Sequence, residues 1–133
     1  AKAPAAICRK VAAAFPGQDI EVIGDGTQTR SFTYVDDTIE GMVRLMASDY
    51  KRPLNISTAK ATSINELVEV VCKQASKPAY IKHVEGPVGP RGRISDNTLI
   101  RKVLNWEPTT LLKDGLAKTY PWVRDQVLTK ANA

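Results

Sequence analysis

Gln28 and Arg30 stand between a glycine turn, Gly24-Asp25-Gly26, and an alternating stretch, Ser31-Phe32-Thr33-Tyr34-Val35. A guanidinium in that position can fork onto phosphate oxygens. Arg91 and Arg93 project from the end of a second glycine- and proline-rich loop, Glu85 to Arg93, just before a helix start at Ser95 or Asp96. Loop arginines beside a helix N-terminus make a phosphate site. Lys2 precedes an alanine-rich helix, near the positive end of its dipole. That dipole and partial burial both lower a lysine pKa, the condition under which lysine serves as an acid–base group. Spacing alone leaves a plainer alternative open for each. Arg30 reads equally as an arginine on an exposed strand edge, Arg91 and Arg93 as a solvated basic loop, and Lys2 as a solvated terminal lysine.

The elements that must position these residues form an alternation of short strands and helices. Pro4 suits the first turn of a helix over Ala5–Phe15, which Pro16-Gly17 stops. Ile20–Ile23 is a β-branched strand, and Gly24 and Gly26 allow the tight reversal after it. Ser31–Val35 reads as a half-buried strand, and Asp36 or Asp37 as the cap of a helix running to about Ser48 with Ile39, Met42, Val43 and Met46 on one face. Leu54–Ser57 reads as a strand, and Ser63-Ile64-Asn65-Glu66 as a capping box. The helix behind it buries Leu67, Val68 and Val71 and ends at Pro78. A strand over Ala79–Val84 carries His83, to which no role is given. A helix over Asn97–Leu104, a turn through Pro108 and a last helix with Leu112, Leu116, Tyr120, Val123 and Val127 on one stripe complete the chain. Pro121 is expected to kink or split that last helix, and the tail from Thr129 to fray. The pattern is α/β.

The totals narrow the chemistry. One domain of 133 residues with 43% hydrophobic and 25% charged residues is an ordinary globular chain, and its net charge of +5 favours an anionic ligand. The basic clusters, Arg9-Lys10, Arg91-Gly92-Arg93 and Arg101-Lys102, have no aromatics interleaved, unlike single-strand nucleic-acid platforms. With one histidine and two cysteines 64 positions apart, a zinc site is not expected. The isolated thiols Cys8 and Cys72 fit a reducing compartment, and no apolar run approaches membrane-spanning length.

Taken together, Gly24-Asp25-Gly26, Gln28, the run Arg30-Ser31-Phe32-Thr33-Tyr34-Val35-Asp36-Asp37, Leu54-Asn55-Ile56 and Leu104-Asn105-Trp106-Glu107-Pro108 resemble the C-terminal portion of extended short-chain dehydrogenase/reductases that act on nucleotide sugars. The strings Lys2-Ala3-Pro4-Ala5-Ala6-Ile7-Cys8-Arg9-Lys10 and Arg91-Gly92-Arg93-Ile94-Ser95-Asp96-Asn97 are similar to the GDP-mannose 3,5-epimerases within that group. The resemblance runs to about Trp122. It implies that residues 1–133 are the nucleotide-sugar-binding fragment of such an enzyme, without the N-terminal Rossmann domain. It implies NAD, bound in that absent half, transient oxidation of the sugar at carbon 4, inversion at carbons 3 and 5, and re-reduction. The inverting pair in the family is a Cys and a Lys. Lys2 matches the Lys, whereas neither Cys8 nor Cys72 matches the Cys.

By the same resemblance, Lys2, Ala3, Lys10, Gln28, Thr29, Arg30 and Arg93 match substrate contacts, with Lys10, Arg30 and Arg93 as the cations for the diphosphate. A homodimeric cytoplasmic parent enzyme is implied, with no metal, nucleic acid or membrane partner, and an inactive fragment. Two departures stand out: Ala1 occupies a position where the family has Glu, and Pro121 interrupts a helix. In the family the Leu54–Ile56 strand and the helix before it lean on the Rossmann sheet, so apolar surface is expected to be exposed there. The alternatives are another nucleotide-sugar epimerase, dehydratase or decarboxylase, and a stand-alone basic nucleotide- or nucleic-acid-binding module.

Overall fold

Three helices and one strand build the core of this computed structural model, which describes residues 2–131. The expectation at Ala1 and the last two residues of the tail lie outside the described residues. Helix α1 (Ala3–Ala13) has Pro4 in its first turn and buries Ile7, Cys8, Val11 and Ala12. Strand β1 (Ile20–Ile23) alternates, with Ile20 and Val22 inward. Its register partner is β4 (Ile81–Val84), parallel, with Val22 opposite His83.

Between them comes α3 (Ile64–Gln74), which contributes Leu67, Val68, Val71 and Cys72. Ser63 starts it as expected, its hydroxyl accepting the Glu66 N–H at 3.1 Å. Helix α5 (Leu112–Ala131) closes the core with Leu116, Tyr120 and Val123. It runs unbroken through Pro121. The expected split does not occur, because buried side chains on both sides of the proline hold its two halves in one groove against α1 and α3. Gly115 allows Tyr34 to approach, a β-carbon there standing 3.1 Å from Tyr34 Cδ2.

The remaining elements form a smaller sheet and an outer helix. Strands β2 (Thr29–Arg30), β3 (Thr62–Ser63) and β5 (Gly92–Arg93) make a three-stranded sheet in the order β3-β2-β5. Pairing is antiparallel to β3 and parallel to β5. Ser31–Tyr34 is extended chain outside any ladder, and Thr33 Oγ1 shares a hydrogen bond of 2.8 Å with Ser57 Oγ and accepts the Thr58 N–H at 2.9 Å. The strand expected there is replaced by a side-chain tether.

Helix α2 (Val35–Met46) therefore starts early, with Tyr34 at its N-cap and no side-chain capping bond. Asp37, expected as a cap, instead accepts the Thr110 N–H and hydroxyl at 2.8 and 2.9 Å. Leu54–Ser57 is not a strand either, for no neighbouring segment offers it a ladder among the described residues. Helix α4 (Thr98–Leu104) begins at Asn97, and Asp96 accepts the Thr98 N–H at 2.9 Å. Val35, Ile39, Met42, Val43 and Met46 are each more than half exposed on α2. The apolar surface expected by resemblance is exposed on α2, whereas Leu54 and Ile56 are half-buried.

Candidate anion-binding site

The small sheet brings together residues from two loops that are far apart in sequence. Gly24 and Gly26 both adopt positive φ, +76° and +71°. Val88 packs against Gly24 where a side chain would stand, and Asn65 does the same at Gly26. Asn65 also donates to Asp25 O at 3.0 Å, so the turn is clasped to the first residues of α3. The chain leaving this turn enters β2, and the chain leaving the Gly86–Arg91 loop enters β5. Thr29 N–H donates to Arg91 O at 2.8 Å and Ser31 N–H to Arg93 O at 3.1 Å.

This register sets Arg30 opposite Arg93 and Thr29 opposite Gly92. Paired residues of neighbouring strands share one face of a sheet, so the two arginine side chains leave the sheet on the same side. Arg30 is half-buried, its Nη1 donating to Thr29 O at 2.7 Å and its Nη2 lying beside Gly89. Arg93 is exposed. Among the described residues neither has a carboxylate within salt-bridge distance, although Arg44, Arg91, Arg101 and Arg124 all do. Like charges side by side on a sheet repel. An anion between them removes that repulsion and uses the planar fork of each.

Gln28 adds a second signal. Its Nε2 donates to Ile23 O at 3.2 Å, but its Oε1 is buried with no hydrogen-bond partner. A buried acceptor left in this way calls for a donor. The residue borders a cleft of about 200 Å³ lined by Gly24, Asp25, Gln28, Val88, Gly89 and Arg91. Asp25 holds its carboxyl below the usual carboxylate range, mainly through the Thr27 hydroxyl, then the Thr27 N–H, with a smaller contribution from Arg91. Asp25 was not among the sequence candidates for ligand contact, and Arg91 was one only as a loop arginine beside a helix start, not among the residues matched by resemblance. An Asp-Gly-Thr turn and an arginine two residues before Arg93 were the available signals.

Gln28, Thr29, Arg30 and Arg93 are therefore brought together at the small sheet, whereas Lys2, Ala3 and Lys10 belong to α1 and its N-cap. Lys2 is the exposed N-cap residue of that helix, its carbonyl accepting the Ala6 N–H at 3.0 Å. Lys10, at the far end, donates to Glu21 O on β1 at 2.7 Å and lines a polar cleft with Gln18, Glu21 and Lys82. The thiols are interior. Burial pushes Cys8 up to about 11 and raises Cys72 as well, so neither is a ready thiolate.

No group of three or more His, Cys, Asp or Glu placed for a metal occurs among the described residues, and no helix there is long and apolar enough to cross a membrane. The Gly24–Gly26 turn does not have the form of a dinucleotide loop. It leads from strand to strand rather than into a helix, and the first N–H groups of α3 are already donated to Gln28 O, Gly26 O and Ser63 Oγ.

Comparison with known proteins places the chain in a family. Residues 3–119 match the family model described as GDP-mannose 4,6 dehydratase. GDP-mannose 3,5-epimerase 1 of Oryza sativa subsp. indica is 48% identical over 126 residues, 95% of this chain and 33% of the relative. UDP-glucuronic acid decarboxylase 6 of Arabidopsis thaliana is 41% identical over 107 residues, 80% of this chain and 31% of the relative. The chain thus spans about a third of the length of these curated relatives. Among solved structures, UDP-glucose 4-epimerase of Thermotoga maritima superposes with a TM-score of 0.84 at 25% identity, over 96% of this chain and 40% of that one. Sequence match and superposition coincide over nearly the whole chain, which belongs to the GDP-mannose 4,6 dehydratase family of extended short-chain dehydrogenase/reductases.

Proposed function

We propose that residues 1–133 form the C-terminal, nucleotide-sugar-binding portion of a longer NAD-dependent epimerase that converts GDP-mannose by inversion at carbons 3 and 5. The observation that carries this reading is the in-register pair Arg30 and Arg93, without carboxylate partners, beside the unpartnered acceptor of Gln28. A diphosphate supplies the anion, and a hydroxyl or N–H of the same ligand supplies the donor. The identity to a rice protein named as a GDP-mannose 3,5-epimerase supports guanosine diphosphate over other carriers. Residues outside this chain bind NAD and perform the redox chemistry, and no step here is routed through it. The parent acts as a cytoplasmic homodimer.

Within this reading each side chain has a bounded task. Arg30 and Arg93 hold the diphosphate, and Thr29 and Gln28 orient what is attached to it. Inversion of a carbon centre needs a proton removed on one face and another delivered on the opposite face. Lys2 is the proton carrier that this chain contributes. It is exposed at the start of α1, free to reach across a domain boundary. Ala3 gives close backbone approach, and Lys10 adds positive charge along the same helix.

The test uses the intact protein with GDP-mannose and NAD in deuterated water. Deuterium at carbons 3 and 5, read by NMR, is the expected outcome, and Lys2→Ala suppresses it. A folded, NAD-loaded protein that exchanges neither position rules out this activity. The second reading, a UDP-sugar enzyme, is favoured by the 41% identity to a UDP-glucuronic acid decarboxylase. Tighter binding of UDP than of GDP selects it.

A further inference from the structure

Arg91 lies two residues before Arg93, and its carbonyl is fixed in the ladder by Thr29 N–H at 2.8 Å. Arg91 sits at the bend that leads into β5, next to the strand that carries Arg93, and it lines the same cleft as Gln28. Its guanidinium is held to one side: Nη1 lies 3.3 Å from Asp25 Oδ2 and 3.3 Å from Thr27 Oγ1.

Those contacts are long for charge-assisted bonds, which run at about 2.7–2.9 Å. The Arg91 side chain is also 82% exposed, so the pair is weak. Asp25, by contrast, is held independently of Arg91. Its Oδ1 accepts the Thr27 N–H at 2.9 Å and the Thr27 hydroxyl at 2.7 Å. One partner of this ion pair is fixed, and the other is a long side chain with little holding it.

We propose that Arg91 is a third guanidinium of the anion site, held by Asp25 until the diphosphate of a ligand competes for it. This inference rests on the nucleotide-sugar reading above. Asp25 then has a second effect. Its charge sits at the margin of an anion site and opposes weak anions, while a diphosphate, with two charged groups and fork-compatible oxygens, outcompetes it.

The test is calorimetric titration of the intact protein with GDP. Arg91→Ala weakens GDP binding about tenfold, the scale of one lost charge-assisted bond. Asp25→Asn tightens it several-fold, and the double variant binds like Arg91→Ala alone, because Asp25 acts through Arg91. Arg91→Lys, which keeps the charge without the fork, falls between. The two replaced side chains are exposed, and circular dichroism checks that the fold is kept.

GDP affinity within twofold of wild type in Arg91→Ala overturns the inference. So does a gain from Asp25→Asn that persists in the Arg91→Ala background, since Asp25 would then act by its own charge alone. Loss of GDP binding on Arg30→Ala and Arg93→Ala, with none on Arg91→Ala, leaves the site reading standing and removes only Arg91 from it. A wild-type protein that does not bind GDP overturns both.

Discussion

Arg30 and Arg93 cost the folded protein something before any ligand arrives. Two guanidinium groups on paired positions without a carboxylate destabilise the sheet by a few tenths to about 1 kcal/mol. Removing one should then have opposite effects on folding and on binding. We expect Arg93→Gln to leave the urea midpoint of the intact protein unchanged or slightly raised, and to weaken GDP binding at least tenfold. A clear loss of stability with intact binding would make Arg93 a structural residue. The trade runs in the direction usual for functional sites, where charge arrangements that suit a ligand strain the protein without it. Arg30 is the poorer choice for this measurement, since its Nη1 also bonds Thr29 O and its removal disturbs the half-buried turn. The types of these residues were legible in the sequence. Their adjacency was not, because nothing local in Gly92-Arg93 announces a strand.

At the scale of elements, the legible parts were those with their own periodicity or composition. Alanine and proline mark α1, the alternation Ile20-Glu21-Val22-Ile23 marks β1, the capping box marks α3, and the apolar stripe marks α5. The misreadings have a common physical origin in tertiary partners. Ser31–Val35 alternates like a strand, but Thr33 is tied to Ser57 and Thr58, and the helix takes Val35. Strands of two residues, as in β2, β3 and β5, exist only because distant chain pairs with them.

One element end was beyond sequence reasoning altogether. Lys77, just after α3, donates to Val11 O at 2.7 Å and Ala14 O at 2.6 Å, satisfying carbonyls that the end of α1 leaves open. Lys77→Met keeps most of the stem and removes those bonds. We expect a loss of about 1–3 kcal/mol in urea unfolding of the intact protein, the range for hydrogen bonds from a charged donor. A change below about 0.5 kcal/mol, the usual range for surface substitutions, would mean that solvent caps α1 equally well.

On the scale of the whole molecule, the balance of inside and outside is uneven. The core of α1, α3, α5 and β1 is closed, whereas α2 presents Val35, Ile39, Met42, Val43 and Met46 outward, Met46 at 82% exposure. A face of that kind marks a contact surface or an association liability. Residues 1–133 purified alone should bind a hydrophobic dye or self-associate, and Val43→Lys with Met46→Lys should reduce both. A monomer of the unmodified chain with no dye binding would show that the α2 face needs no cover. The small sheet carries a different consequence. Ser31 and Ser95, joined across β2 and the end of β5, are 64 positions apart. Ends separated by so much chain meet late in folding, since loop closure must be met before contacts reward it. A ligand gripped by both strands is therefore a reversible cross-link of the native topology, worth about 2.7 kcal/mol at a hundredfold excess over its dissociation constant. Under the proposed function, supply of the ligand sets how long this part of the protein survives proteolysis.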